Sequence, residues 1–316
     1  MLSLQSGRKV AIIDGDKKNI VYLKDEDGKE PEIETKDEHK IYMFNNYLEL
    51  DKKLSHLDIE KLNSCYKRHL RDGSNSEDLG KLSRKYHEAK KYVSDSLKKH
   101  LDYSSTKHKL FPIIDEDSFR VFVSGLSGSG KSYFINEFLK YNKPRCKEAG
   151  IFLFSPVKED KAFKGIKNLI HFDLDELFEE MKGKELEVED IPDGSIVIFD
   201  DIESFPKGVA KKYMNLRDIF LERGRGHKEG QKGISTICVS HNAMNGHSTK
   251  ISIREAQYWC LFPKFNSRDT KAILKLYGGL ENDDITHIMN MKSRWCFYRK
   301  SVPKYAVGEH SVISFT

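Results

Sequence analysis

The sequence lacks the long apolar segments of membrane-spanning and exported proteins. No apolar run approaches the roughly 18 residues that cross a bilayer. The first residues, MLSLQSGRKVAIIDGDKK, do not combine a long apolar segment with a small-residue cleavage site. The five cysteines are odd in number and form no CxxC pair, which disfavours a disulfide framework and a structural metal site. These absences favour a protein of the reducing cytoplasm that is not secreted and has no membrane span.

The sequence also lacks a strong excess of charge of one sign, internal repeats and low-complexity segments. Its formal net charge of +5 permits a polyanionic partner without requiring one. A length of 316 residues is sufficient for two domains. The pattern changes near residue 112, which predicts an N-terminal region, 1–112, of unknown role and a second domain, 113–316.

The N-terminal region has the patterns of a small α+β segment. The stretch KVAIIDGDKKNIVYL predicts a strand, a turn and a second strand, that is, a β-hairpin. Further on, apolar residues recur every three or four positions from Leu54 to Leu70 and again from Leu79 to Leu101. The stretch RDGSNSED between these two segments supplies turn and N-cap residues, so we predict an antiparallel helical hairpin.

From Phe119 onward, short apolar strands alternate with helical patterns. This alternation predicts an α/β fold with a mainly parallel sheet and helices on both faces, including helices over 132–141 and 208–221. The predicted strands are FRVFVSG, GIFLFSP, SIVIFDD, ISTICVSH, YWCLFPK and RWCFYRK.

The stretch GLSGSGKS fits the phosphate-loop pattern GxxxxGK[ST] at every position, between an apolar strand and an amphipathic helix. In such a loop, backbone N–H groups and the positive end of the helix bind phosphate. We therefore predict a P-loop NTPase that binds ATP and Mg²⁺; Lys131 would reach the β- and γ-phosphates, and the Ser132 hydroxyl would bind the magnesium. The predicted nucleotide-binding residues are Gly125, Leu126, Ser127, Gly128, Ser129, Gly130, Lys131, Ser132 and Tyr133.

Two aspartates follow the strand SIVIF. Ligands of such sheets bind outside the carboxyl ends of the strands, so Asp200 and Asp201 are expected to face the phosphate loop. Asp200 suits the magnesium role and Asp201 the activation of water. Alternatively, the pair could cap the next helix, and Glu203 is a weaker candidate for the base.

The strand ISTICVS ends in His241 and Asn242, either of which could sense the γ-phosphate, although a simple turn is the alternative. A strand between the phosphate loop and the acidic strand, with another strand after them, suits the P-loop branch that has an additional strand and a catalytic acid. No NKxD motif is present, which disfavours a GTPase.

The loop LERGRGHKEGQKG is basic and glycine-rich. Arg223 and Arg225 are candidates for an arginine finger that reaches a neighbouring subunit, and a solvated basic loop is the alternative.

Taken in order, GLSGSGKS, IVIFDD, GRGH, ISTICVSHN and SIREAQYWCLF resemble the motifs of viral DNA-packaging ATPases of the FtsK–HerA superfamily, over about three fifths of the chain. The resemblance implies a homo-oligomeric ring, usually hexameric, that hydrolyses ATP to move double-stranded DNA into a capsid, with capsid or portal proteins as partners. It implies an action in the host cytoplasm, at the virus factory, or on the virion. It places Arg225 at the family's Arg-His loop and Arg254 at a basic position after the sensor strand.

Two other classes of function stay open at this level. One is another P-loop enzyme, either a helicase or a small-molecule kinase. The other is a nucleotide-dependent scaffold for capsid assembly with a slow or idle ATPase.

Overall fold

The computed structural model describes residues 2–3, 7–13, 16–23, 100–102, 109–157, 163–173, 176, 186–226, 229–244 and 247–315. The strands are β1 (Leu2–Ser3), β2 (Arg8–Ile13), β3 (Asp16–Leu23), β4 (His100–Asp102), β5 (Leu110–Pro112), β6 (Arg120–Ser124), β7 (Ile151–Phe154), β8 (Leu169–Phe172), β9 (Ile196–Asp200), β10 (Ser235–Ser240), β11 (Tyr258–Leu261), β12 (Cys296–Arg299), β13 (Lys304–Val307) and β14 (Ser311–Phe315). The α-helices are α1 (Lys131–Tyr141), α2 (Lys207–Arg223), α3 (His247–Glu255), α4 (Ser267–Leu276) and α5 (Asn282–Met289), and short 3₁₀ helices cover Val188–Asp190 and Ile202–Ser204.

The main sheet has ten strands in the order β4-β14-β13-β12-β11-β6-β10-β9-β7-β8. Neighbouring strands from β11 to β8 are parallel, whereas those from β11 to β4 are antiparallel. β10 lies between the phosphate-loop strand β6 and the acidic strand β9, while β7, which lies between them in the chain, pairs on the outer side of β9. The predicted α/β P-loop fold of the additional-strand branch is confirmed.

Both faces of this sheet are covered, because the side chains at every position of its central strands β6, β9 and β10 are buried. In β6, Val121 and Val123 face a core shared with Phe134 and Phe138 of α1. Phe122, between them, faces the opposite core. Helices α2, α3, α4 and α5 all contribute buried side chains on that opposite side. The central parallel strands are therefore buried on both faces, as is typical of parallel sheets.

The antiparallel half of the sheet was only partly predicted. RWCFYRK forms β12, as expected, but β13 and β14 were not predicted, nor was β8 on the other edge. These strands are only four or five residues long and lie outside the alternation of strands and helices on which the prediction depended. The predicted helices are found with slightly wider bounds.

The predicted N-terminal hairpin is confirmed as β2 and β3. It belongs to a small antiparallel sheet of order β1-β3-β2-β5, in which β2 pairs with β5. Residues 2–25 form one compact unit with residues 100–316. The predicted helical hairpin lies outside the described residues except at its end, where 100–102 form strand β4 and not helix.

None of the helices that the structure describes has the length and apolar character needed to cross a membrane.

Asn142 joins the end of α1 to the segment that leads into the phosphate-loop strand. Its side chain is fully buried. Oδ1 accepts a hydrogen bond from the Ile114 N–H at 2.8 Å, and Nδ2 donates to the carbonyls of Pro112 at 2.9 Å and Phe138 at 3.0 Å. The amide thus satisfies backbone groups that have no access to water.

We expect Asn142→Ala to lower the free energy of unfolding by about 2–4 kcal/mol, because each buried polar group left unsatisfied costs about 1–3 kcal/mol. Urea denaturation followed by circular dichroism measures this change. Lys140→Ala, two residues away on the exposed face of α1, is the control and should change stability by less than about 0.5 kcal/mol. Equal effects of the two substitutions would contradict this role for the Asn142 amide.

Candidate active site

The phosphate loop connects the end of β6 with the start of α1. Gly130 is the N-cap of α1 and has φ 102°, in the left-handed region that favours glycine. A Cβ on Gly125 would lie only 2.7 Å from Ser129 Oγ and 2.8 Å from a ring carbon of Phe262, which follows β11. The tight turn therefore depends on glycine at both positions. No sequence pattern marks Phe262 for this role, because its position beside Gly125 follows from the pairing of β11 with β6.

Lys131 is the first residue of α1 and only 7% exposed. Its ammonium donates hydrogen bonds to the carbonyls of Gly125 at 2.7 Å and Leu126 at 3.3 Å, and it lies 2.8 Å from Nδ1 of His241. Burial lowers the pKa of Lys131 below that of an ordinary lysine, and the carboxylates of Asp200 and Asp201 partly oppose this shift. The lysine thus lies in the electrostatic field of both predicted acids.

His241 connects the lysine to the second acid. Its Nε2 lies 2.9 Å from Oδ2 of Asp201, while Nδ1 contacts the Lys131 ammonium. An ammonium can only donate, so Nδ1 must accept, and the ring proton is then on Nε2, from which it donates to the carboxylate. The imidazole is therefore neutral in this arrangement, and three predicted residues form a single hydrogen-bonded chain.

The two aspartates occupy different environments at the end of β9. Asp200 is the last residue of the strand and is buried. Asp201 leaves the sheet with φ 50° and begins the 3₁₀ helix Ile202–Ser204, while its N–H donates to the Val239 carbonyl of β10 at 3.3 Å. This left-handed turn takes Asp201 out of the sheet directly after Asp200.

The other predicted residues at the phosphate-loop edge of the sheet do not belong to the hydrogen-bonded chain of Lys131, His241 and Asp201. Asn242 is exposed, and its Oδ1 accepts from the Met244 N–H at 3.3 Å, which is the local turn that we considered as the alternative. Leu126 and Tyr133 are among the exposed large apolar side chains. Ser132 is half-buried on the first turn of α1.

Glu203, the weaker candidate for the base, is directed toward α2. Its Oε1 lies 3.5 Å from Nη1 of the buried Arg217, whose guanidinium also donates to Asp218 at 2.7 and 2.9 Å. Burial raises the pKa of Glu203, and the Arg217 charge opposes that rise. Glu203 therefore contacts Arg217 of α2 and contacts neither Lys131 nor His241.

Arg223 and Arg225 lie at the opposite end of the sheet from the phosphate loop. Arg223 ends α2, and the Gly224 carbonyl accepts from the Ile234 N–H just before β10 begins. β10 then rises over six residues, about 20 Å at ~3.3 Å per residue, before it reaches His241. Arg225 is 55% exposed and lies 3.7 Å from Glu255. Neither arginine can reach the Lys131 of its own chain, and His227 lies outside the described residues.

The residues at the phosphate-loop edge fit a magnesium nucleotide. The Ser129 Oγ is fully buried without a hydrogen-bond partner, and the Ser132 hydroxyl and the Asp200 carboxylate are oxygen ligands of the type that Mg²⁺ prefers. Lys131 supplies a positive charge at the start of a helix, where phosphate binds readily.

We expect Asp201→Asn to lower the pKa of Lys131 further, because the Asp201 carboxylate now raises it. NMR of ¹³C-methylated lysines over a range of pH measures this, and the signal is assigned by its loss in Lys131→Arg. Asp283→Asn, which removes an exposed acid on α5, is the control and should leave the Lys131 signal unchanged. A Lys131 pKa that Asp201→Asn leaves unchanged or raises would contradict the geometry.

Comparison with models of known protein families finds no match. An uncharacterised protein of the Sputnik virophage, V3, is 26% identical over 193 residues, which cover 60% of this chain and 74% of the relative.

Among solved structures, the genome packaging NTPase B204 of Sulfolobus turreted icosahedral virus 2 has a TM-score of 0.36 at 12% identity, over 61% of this chain and 99% of that one. The cytoplasmic domain of the type VII secretion ATPase EccC of Thermomonospora curvata has a TM-score of 0.43 at 11% identity, over 67% of this chain and 28% of that one. The conjugation coupling protein TcpA of pCW3 has a TM-score of 0.39 at 13% identity, over 67% and 65%.

By its sheet order and its phosphate loop, the chain has the fold of a P-loop NTPase; it is similar in sequence to a virophage protein, and the order of its motifs resembles that of the viral packaging ATPases of the FtsK–HerA superfamily.

Proposed function

We propose that this protein is an ATP-hydrolysing motor that translocates double-stranded DNA into a viral capsid during genome packaging. The observation that carries the proposal is the meeting of Lys131, His241 and Asp201 in one hydrogen-bonded chain at the carboxyl ends of β6, β10 and β9. A lysine, a polar strand-end residue and an acid in this arrangement are the groups that ATP hydrolysis requires.

In this proposal, the backbone N–H groups of the phosphate loop and the Lys131 ammonium bind the phosphates. Ser132 and Asp200 would hold the magnesium, Asp200 through a water molecule. Bound there, the magnesium would supply positive charge against the phosphate oxygens. The position of Asp200 as the last residue of β9 favours this assignment, because ligands of such sheets bind outside the carboxyl ends of the strands.

Asp201 orients and activates the attacking water in this mechanism. His241 donates from Nε2 to the Asp201 carboxylate, so it holds the acid in place and leaves the other carboxylate oxygen available to accept from water. Because Nδ1 faces Lys131, the ring also lies where the γ-phosphate bound by that lysine would contact it. We therefore assign the sensor role to His241 rather than Asn242.

We expect Asp201→Asn to reduce the rate of ATP hydrolysis by about 10²–10⁴-fold, the contribution of a general base, while nucleotide binding is retained. The measurement is steady-state phosphate release with and without duplex DNA, and Asp283→Asn on exposed α5 is the control with wild-type activity.

The outcomes of this experiment separate the alternatives. Hydrolysis that duplex DNA does not stimulate would count against the motor. Strand separation of a forked duplex would indicate a helicase, and phosphate transfer to a small molecule would indicate a kinase. Nucleotide binding without hydrolysis by the wild-type protein would favour a scaffold for capsid assembly.

We further propose that the active site is completed by an arginine from a neighbouring subunit of a homo-oligomeric ring, a hexamer by resemblance to the family. The exposed guanidinium of Arg225 lies beyond the end of α2, in a loop that also contains Gly226, Gly230 and Gly233. Arg223, by contrast, is the last residue of α2, where a cation stabilises the helix dipole. We therefore assign the finger to Arg225.

Mixing two inactive variants tests the shared site. Arg225→Ala should lose about 10³–10⁵-fold in turnover, the value of an arginine finger, and Asp201→Asn is inactive for a different reason. In a mixed ring, some sites combine an intact acid from one subunit with an intact arginine from its neighbour. Phosphate release by the mixture should therefore exceed that of either variant alone.

Arg223→Ala is the matched control and should retain most of the activity. A mixture no more active than its components, while both variants still form rings, would contradict a site shared between subunits. Loss of activity in Arg223→Ala but not in Arg225→Ala would move the finger to Arg223.

The partners of the motor follow from the same proposal. Exposed Lys207 and Lys211 at the start of α2 are our candidates for contacts with the DNA backbone, because exposed ammonium groups can neutralise its phosphates. Capsid or portal proteins are the remaining partners, and the virus factory in the host cytoplasm, or the virion, is the place of action.

A further inference from the structure

The loop between α5 and β12 brings an arginine of the same chain to the phosphate loop. A Cβ placed on Gly130 would lie 3.7 Å from Nη2 and 4.0 Å from Cζ of Arg294. The guanidinium therefore lies beside the residue that caps α1 and immediately precedes Lys131. No sequence motif contains Arg294, which lies 164 positions after Gly130 in the chain.

The backbone at Arg294 is held in place by a buried carboxylate. Its N–H donates to Oε2 of Glu309 at 2.8 Å, and the Glu309 side chain is only 7% exposed. The other oxygen of Glu309 accepts from Lys109 at 2.6 Å. These two contacts lower the pKa of Glu309 against the effect of its burial, so the carboxylate stays ionised.

Residues on both sides of Arg294 are also anchored. The Ser293 hydroxyl accepts from the Glu309 N–H at 2.9 Å and donates to the Trp295 carbonyl at 2.5 Å. The buried Trp295 ring lies 4.9 Å from the ring of Phe134 in α1, measured between centroids. The loop is thus fixed to the helix that begins at the phosphate loop, and the backbone at Arg294 is held at a defined place.

The position of this guanidinium is electrostatically unfavourable unless an anion binds there. It lies at the positive end of α1 and close to the residue that precedes the Lys131 ammonium, and cations at a helix N-terminus are destabilising. Within the described part of the chain, no ion pair joins the Arg294 guanidinium to a carboxylate. In the same loop, the buried Ser129 Oγ has no hydrogen-bond partner. Both features are those of a phosphate site.

The sheet order indicates which part of a nucleotide Arg294 faces. Asp201 and His241 come from β9 and β10, on one side of β6. Arg294 precedes β12, which lies two strands away from β6 on the other side. The groups that act on the γ-phosphate and the Arg294 guanidinium therefore flank the phosphate loop from opposite sides.

We propose that Arg294 binds the α- and β-phosphates of the nucleotide from within its own subunit, as a determinant of nucleotide affinity that is distinct from the arginine finger. The inference rests on the proposed function, because it requires a nucleotide at the phosphate loop. Arg294 then contributes equally to ADP and ATP binding, since both contain this diphosphate, and contributes little to the chemical step.

Titration calorimetry with ADP and with a non-hydrolysable ATP analogue, on the full chain, tests this assignment. Arg294→Ala should weaken the binding of both nucleotides by a similar factor, about 10- to 100-fold, the value of a lost charge-assisted hydrogen bond. Arg294→Lys should show a smaller loss, because lysine keeps the charge but not the two-pronged geometry. In steady-state hydrolysis, Arg294→Ala should raise the KM for ATP with kcat within about threefold of wild type.

Lys292→Ala removes the same charge from an exposed position in the same loop and is the matched control, with nucleotide affinity expected to match wild type. Equal affinity of Arg294→Ala and wild type for ADP would overturn the inference, and so would a loss confined to the ATP analogue or to kcat. A wild-type protein that binds neither nucleotide would instead contradict the proposed function. If Arg294→Ala does not fold, the affinities of Arg294→Lys for ADP and for the ATP analogue are compared with those of the wild type instead.

Discussion

Ser240 pairs with Ser124 and Val239 with Asp200, and this parallel register of β10 with both neighbours is the constraint on which the candidate site depends. It brings the ends of three strands to one level, so that the Gly125 N–H can donate to the Ser240 carbonyl at 3.3 Å. A slip of one residue in any strand would turn its side chains to the other face of the sheet. Since both faces are packed with large apolar side chains, the core itself maintains the alignment of the site.

The acids and the candidate finger arginines lie at opposite edges of the sheet. Helix α2 begins six residues after Asp201 and ends at Arg223, and its 17 residues span about 25 Å at 1.5 Å per residue. One end therefore lies at the acidic edge of the sheet and the other at the edge that carries the arginines. The buried Arg217, in contact with Glu203 and Asp218, fixes the helix to the segment that follows the acids. A charged group in that interior is tolerated because two carboxylates accompany it.

The phosphate loop, the acidic strand and the alternation of strands and helices could be predicted from the sequence because each is a local pattern. GLSGSGKS needs only its own glycines and the flanking strand and helix, and SIVIFDD ends its strand at Asp200 as expected. The position of β10 between β6 and β9 is not encoded in a local pattern, since it depends on which strands pair across the sheet. The hairpin β2–β3 was predicted from its sequence. The pairing of β2 with β5 was not, because no residue of β2 or β5 encodes the partner strand.

Side-chain contacts between distant parts of the chain were the least accessible to sequence reasoning. His241 and Asn242 are equivalent in sequence as polar residues at a strand end, and only the fold separates them: His241 reaches both Lys131 and Asp201, while Asn242 bonds within its own turn. Arg294 shows the same limit more strongly, because its place beside Gly130 results from the antiparallel pairing of β12 with β11, which the pattern of either strand alone does not reveal. An antiparallel strand next to β11 must begin where β11 ends, and so the loop before β12 necessarily opens at the phosphate-loop edge. The antiparallel half of the sheet is thus the element that supplies the phosphate-loop edge with a positive charge from outside the recognised motifs.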